Sequence, residues 1–146
     1  NTRVDLSETD GVRNILMWAR EAGYTMAEDD VIVNKVLPDE CFTGDLNDFF
    51  EKVKEYDAEL EEKRKALLKQ NKKWRFFATL DQGKARVELL TIGTEHPSFN
   101  LEGSNNIILL TTNRYHELPM VIKGYGAGAE VTAAGVFADL MRVVNV

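Results

Sequence analysis

Apolar residues recur along the chain with two periods. Val12, Ile15, Leu16 and Ala19 fall on one face of a helix, and the spacing predicts a helix from Ser7 to Ala22 whose stripe meets a core. Ser7 with Asp10 three positions later resembles a capping box, and Gly23 is a natural terminator. After a polar loop, Val31 to Leu37 reads as a strand ended by Pro38. Residues 46 to 70 return to the helical period, with a break expected near Tyr56 and Asp57. Leu46, Phe49, Phe50, Val53, Leu60, Leu67 and Leu68 form the stripe expected to be buried. Acidic side chains dominate the start of this stretch and basic ones its end, the sense that the helix dipole favours.

The period then changes to two. Trp74 to Leu80 and Lys84 to Ile92 alternate apolar and polar residues across Asp81-Gln82-Gly83, which predicts a β-hairpin. Asn106 to Thr112 and Met120 to Lys123 supply two more strands, and Glu130 to Val144 a closing helix. Together these elements describe an α+β fold: helices covering one face of a mostly antiparallel sheet of about five strands. With 146 residues and no repeats or internal linkers, the chain is expected to form a single domain over residues 1–146.

Composition narrows the class. A hydrophobic content of 44% and a charged content of 29% are ordinary for a globular protein, and a net charge of −6 argues against nucleic acid as the main partner. No run has the length of a membrane span, so no membrane partner is expected. The single cysteine, Cys41, excludes an internal disulfide and suits a reducing cytoplasm. The chain opens on Asn1 rather than Met and is expected to be a piece of a longer protein.

Two places could carry chemistry. Asp10 and Asn14, four apart, share a helix face with Asp5 just ahead, and could bind an ammonium group or position a hydroxyl. Helix capping and a solvated first turn account for the same residues more simply. The second place is Pro119 to Leu140, where an apolar strand feeds a turn with Gly124, Gly126 and Gly128 and then an alanine-rich helix. Such a turn lets the backbone approach a ligand at a helix N-terminus, and Gly124-x-Gly126-x-x-Ala129 fits a dinucleotide fingerprint. That fingerprint should open a βαβ unit with an acidic residue about 20 positions on, and the chain stops too soon at Val146. Close backbone packing is an equal alternative, and Glu130 and Thr132 in the first helical turn serve a ligand or the dipole alike. His96, His116 and Cys41 lack metal-ligand spacing, so no metal is expected. Glu28-Asp29-Asp30 lacks the spacing of a calcium loop, and the basic run around Trp74 is explained by a helix C-terminus.

Two stretches are similar to a known family. Asp5-Leu-Ser-Glu-Thr-Asp-Gly-Val-Arg-Asn-Ile-Leu-Met-Trp-Ala-Arg-Glu-Ala-Gly23 resembles the Asp-Leu-Ser-Gly-x-Asp-Val-x-Arg-Lys segment of homoserine dehydrogenases. Lys123-Gly-Tyr-Gly-Ala-Gly-Ala-Glu-Val-Thr-Ala-Ala-Gly-Val-Phe-Ala-Asp139 resembles that family's C-terminal signature. Leu37-Pro-Asp-Glu-Cys-Phe42 and Asn100-Leu-Glu-Gly-Ser-Asn-Asn-Ile107 look like the versions fused to an aspartokinase.

The resemblance implies an NAD- or NADP-dependent interconversion of aspartate semialdehyde and homoserine, in threonine and methionine biosynthesis, with a lysine handling the proton. It implies that this chain is the latter part of the substrate domain, without the N-terminal nucleotide-binding domain or an upstream glutamate that holds the substrate. Small-molecule substrate, cytoplasmic location and a homo-oligomeric full-length protein are the expected context. Residue by residue, Asp10 matches an aspartate that binds homoserine, and Asp5 a neighbouring acidic position beside the substrate amino group. Gly128 matches a glycine at the nicotinamide end of the cofactor, Gly126 shapes the turn and Thr132 opens the helix beside it. Asn14 stands where the family has its proton-transfer lysine, and an amide cannot exchange that proton near neutral pH. Glu8 stands at a usual glycine, a lesser departure. The implied reading is an oxidoreductase fragment with no turnover as it stands. A non-catalytic dimerisation or regulatory module, and a free-standing small-molecule binder, are the rival readings.

Overall fold

The computed structural model describes residue 3, residues 6–103 and residues 105–144. The chain divides into two compact units, residues 1–93 and residues 94–146.

In the first unit, helix α1 (Thr9–Glu21) packs on a sheet of β1 (Ile32–Asn34), β2 (Lys73–Asp81) and β3 (Lys84–Ile92), ordered β1-β3-β2. Strand β1 runs parallel to β3, and β2 antiparallel to it. The register places Val33 beside Val87 and Leu80 beside Ala85 on one face, and Val12, Ile15, Leu16 and Ala19 of α1 close over them with Met26 and Val31. Burying Ile15 and Leu16 contributes roughly 1.5–3 kcal/mol for each side chain. Gly11 brings the head of α1 close to the sheet: a Cβ there would lie 2.9 Å from Val87 Cγ1. Gly23, at φ +89, ends the helix, with the Tyr24 N–H donating to the Ala19 carbonyl as in a Schellman motif. The β2–β3 turn has Gln82 and Gly83 both at positive φ, the geometry of a two-residue type I′ hairpin.

A second core forms around helix α2 (Leu46–Lys69). Phe49, Leu37 and Cys41 are buried there, with Leu6, Phe42, Val53, Tyr56 and Leu60 packed around them. Asp45 caps α2 by accepting from the N–H groups of Asn47 and Asp48, while the Asp48 carboxylate accepts from the Asp45 N–H. Asn71 at φ +53 closes its far end.

The second unit pairs β4 (Asn105–Leu110) with β5 (Met120–Tyr125) antiparallel, followed by helix α3 (Ala129–Val144). The fold is α+β and mostly antiparallel, as the pattern predicts. Its five strands, however, form a three-stranded and a two-stranded sheet instead of a single sheet of five. Pairing partners are non-local, and an alternating pattern does not name them. Helix α2 runs unbroken through Tyr56 and Asp57, because nothing between Leu46 and Lys69 breaks a helix. Leu46, Phe50 and Leu68 are exposed, so the buried stripe is narrower than its periodicity predicts. Strand β1 stops at Asn34, and Leu37 turns instead into the second core.

Candidate functional site

Helix α1 carries the first group of candidates. Asp10 and Asn14 are both exposed on the helix surface, and Asp10 Oδ1 lies 3.9 Å from Arg13 Nη1. Asp10 is in the first turn, where the free N–H groups of the helix favour a negative charge. Asp5 lies outside the described residues. Just beyond it, the Arg3 guanidinium donates to the carbonyls of Phe42 and Gly44, tying the approach to α1 to the loop that precedes α2.

Glu8 is the most unusual residue of this unit. It is the residue before α1, at φ +62, a left-handed conformation that L side chains rarely adopt and glycine adopts freely. That geometry supplies a physical reason for a glycine in the motif. The Glu8 side chain is buried, 4% exposed, and neither carboxyl oxygen has a hydrogen-bond partner among the described residues. Burial pushes its pKa up, and the charge of Lys35 pulls weakly the other way. It makes no capping bond to α1, and the expected Ser7–Asp10 capping box does not form: the Ser7 hydroxyl instead lies 2.8 Å from the Thr9 hydroxyl.

The second group lies in the other unit. Strand β5 runs into the turn holding Gly126 and Gly128, and the Thr132 N–H donates to the Gly128 carbonyl at 3.0 Å as the first bond of α3. The N–H groups of Ala129, Glu130 and Val131 are therefore beyond the reach of the helix's own ladder. Gly128 has φ +133 and open space where a Cβ would stand, so conformation is what asks for glycine there. Gly126 differs. Its φ is not positive, but a Cβ would overlap the Asn106 carboxamide, with Oδ1 at 2.9 Å and Cγ and Nδ2 nearer still. Asn106 is not singled out by the sequence, although it opens a predicted strand and lies in the Asn100–Ile107 stretch that resembles the fused enzymes.

The structure thus gathers Asp10 and Asn14 on α1, and Gly126, Gly128 and Thr132 around the start of α3. Two hollows on the surface involve none of these residues. One, about 620 Å³, follows a charged face of α2 at Glu61, Glu62, Lys65 and Lys69; the other, about 330 Å³, lies near Thr25, Asp30 and Gly83. Among the described residues no helix is long and apolar enough to cross a membrane, and no three His, Cys, Asp or Glu side chains cluster to hold a metal.

Comparison with known proteins gives a consistent result. The family model described as homoserine dehydrogenase matches residues 1–141. A bifunctional aspartokinase/homoserine dehydrogenase 2 of Arabidopsis thaliana is 37% identical over 147 residues, covering 98% of this chain and 16% of that protein. The bifunctional aspartokinase/homoserine dehydrogenase 2 of Escherichia coli is 33% identical, covering 98% of this chain and 18% of that protein. A crystal structure of a Candida auris protein described as of unknown function superposes with a TM-score of 0.83 at 33% identity, over 98% of this chain and 41% of that one. The chain therefore spans less than a fifth of the length of these bifunctional relatives.

Proposed function

The chain belongs to the homoserine dehydrogenase family, and on that premise we propose that it is the C-terminal part of the substrate domain of an aspartokinase-fused enzyme interconverting aspartate semialdehyde and homoserine. The observation that carries this reading is the family match over residues 1–141 together with an intact glycine turn at the head of α3. A nicotinamide cofactor, NAD or NADP, supplies the hydride when bound. Gly128 leaves open backbone for its nicotinamide end, Gly126 shapes the turn and Thr132 lies in the first turn of the helix beside it. Asp10 binds and orients the substrate, with Asp5 toward its amino group.

The nucleotide-binding part of the enzyme is not in this sequence. Helix α3 supports that assignment. It is apolar over most of its circumference, with Val136, Phe137, Leu140, Val143 and Val144 all exposed, whereas a helix apolar all round is normally buried.

Asn14 can donate and accept hydrogen bonds but cannot deliver a proton to the carbonyl oxygen. The chain alone should therefore show no turnover. The test follows oxidation of NADPH or NADH with aspartate semialdehyde, in the isolated chain and in the full-length protein with Asn14 or with Asn14→Lys. Restoring a proton-transfer group should raise kcat roughly 10²–10⁴-fold in the full-length protein. Activity of the isolated chain would defeat the fragment reading. Full activity with Asn14 in place would show that the lysine role is filled differently here.

Asn14 also favours a second reading, a non-catalytic dimerisation or regulatory module derived from the same domain. Calorimetry with homoserine and with the cofactor separates the two, since a pure assembly module binds neither.

A further inference from the structure

We propose that Asn106 is a positioning residue for the nicotinamide end of the cofactor, acting through the backbone of Gly126; this rests on reading the Gly126–Gly128 turn as the cofactor contact. The β4–β5 register sets Asn106 opposite Gly124, so its side chain rises on the same sheet face two residues short of Gly126. There the carboxamide lies against the Gly126 backbone so closely that a Cβ would have to push the end of this side chain aside. Gly126 is not at positive φ, and the three atoms nearest to that Cβ position all belong to Asn106. The glycines of the turn thus answer two different demands: Gly128 serves an unusual backbone conformation, and Gly126 makes room for Asn106.

That contact has a mechanical consequence. A turn between a strand and a helix start is free to pivot unless something bears on it. Asn106 stands on a strand paired residue by residue with β5, so it fixes the Gly126 peptide relative to the sheet. The direction of the backbone through Gly128, and of the first N–H groups of α3, then follows from the sheet. The Asn106 side chain is exposed and makes no hydrogen bond to any described residue, so its hold on the turn rests on packing against Gly126 alone. Misplacing a ligand by about 1 Å can cost on the order of 10²-fold, so a prop of this kind matters even without touching the reacting atoms.

The test uses the full-length protein and measures binding of NADPH and NADH by fluorescence. The nicotinamide-free fragments, 2′-phospho-ADP-ribose and ADP-ribose, are measured in parallel. Asn106→Ala should weaken the whole cofactor roughly tenfold and leave the matching fragment unchanged. Gly126→Ala should act in the same direction. The double variant Asn106→Ala/Gly126→Ala should fall within about threefold of Asn106→Ala alone, because the methyl group enters space that the amide has left. Binding equal to the parent in all three variants overturns the role of Asn106 and leaves the cofactor reading intact. Equal weakening of whole cofactor and fragment also overturns it, as a general loss of structure. A parent protein that binds neither NADPH nor NADH overturns the cofactor reading beneath it.

Discussion

Replacing Glu8 by glycine should stabilise the protein, although it removes a buried side chain. Two penalties disappear. A non-glycine residue in the left-handed region costs roughly 1–2 kcal/mol, and Glu8 is at φ +62. A buried polar group without a partner costs roughly 1–3 kcal/mol, and both Glu8 carboxyl oxygens lack one among the described residues. Against these stand the two buried methylenes, about 0.8 kcal/mol each, and the extra freedom glycine gives the unfolded chain, about 0.4–1 kcal/mol. The balance favours Glu8→Gly by about 1 kcal/mol. Glu8→Gln keeps the strain and most of the packing, and isolates the charge.

The sign with pH follows from the raised pKa of Glu8. The folded state holds this proton more tightly than the unfolded state, so its penalty is absent below the unfolded pKa near 4.5 and grows as pH rises toward the folded value. Urea unfolding followed by circular dichroism between pH 4 and pH 8 should show the parent losing stability relative to Glu8→Gln over that window. The two should converge at its acidic end. A Glu8→Gly protein less stable than the parent at neutral pH, or a parent and Glu8→Gln with parallel pH profiles, would refute the reasoning.

Other predictions concern separate parts of the molecule. Asp10→Ala in a turnover-competent full-length protein carrying Asn14→Lys should weaken homoserine binding by about 1.5–3 kcal/mol, seen as a raised KM, because a charge-assisted contact is lost. Cys41, fully buried and with its thiol pKa pushed up by burial, should resist a thiol-specific reagent in the folded protein and react once urea unfolds it. The Glu61 carboxyl, held down to about 2 by its hydrogen bonds from Arg64, should titrate near that value by NMR. Its stabilising contribution is present above its ordinary pKa and is lost as pH falls through about 2, and Arg64→Ala should move the titration back up. Glu8→Gly should leave the gain in kcat from Asn14→Lys unchanged in the full-length protein; a change in that gain beyond about 0.5 kcal/mol would mean that Glu8 takes part in the chemistry.

Local signals carried much of the architecture. The 3.6-residue stripe of α1 places Ile15, Leu16 and Ala19 in the core, and the alternation around Gln82-Gly83 finds the hairpin, because each depends on neighbours a few residues away. Gly23 marks the end of α1 for the same reason. Features that depend on distant partners were not legible. The division into two sheets depends on which strands pair, and Phe50 and Leu68 look like core residues until the extent of α2's packing is known. At the candidate site, the shared face of Asp10 and Asn14 follows from a four-residue spacing. Spacing gives no such sign for Glu8, which only its place at a usual glycine of the motif marks, since a glutamate before a helix normally faces water. The contact of Asn106 with Gly126 exists only in the β4–β5 register, which separates the two residues by twenty positions in the chain.

Glu8 and Asn14 are two changes within one short motif, and their surroundings give them different weights. Glu8 is buried, in a backbone conformation suited to glycine, so its substitution acts on folding free energy. Asn14 is exposed on α1, where an amide fits a helix surface at a cost of tenths of a kcal/mol, so its substitution should leave the fold almost unchanged, and under the proposed function it would act on turnover. Sequence resemblance makes the motif recognisable but ranks neither change. Physical context does: a buried residue in a strained conformation bears on folding, and an exposed one on a helix surface does not. On this ground the stability of the chain and the activity proposed for it are separate questions, each with its own residue to change.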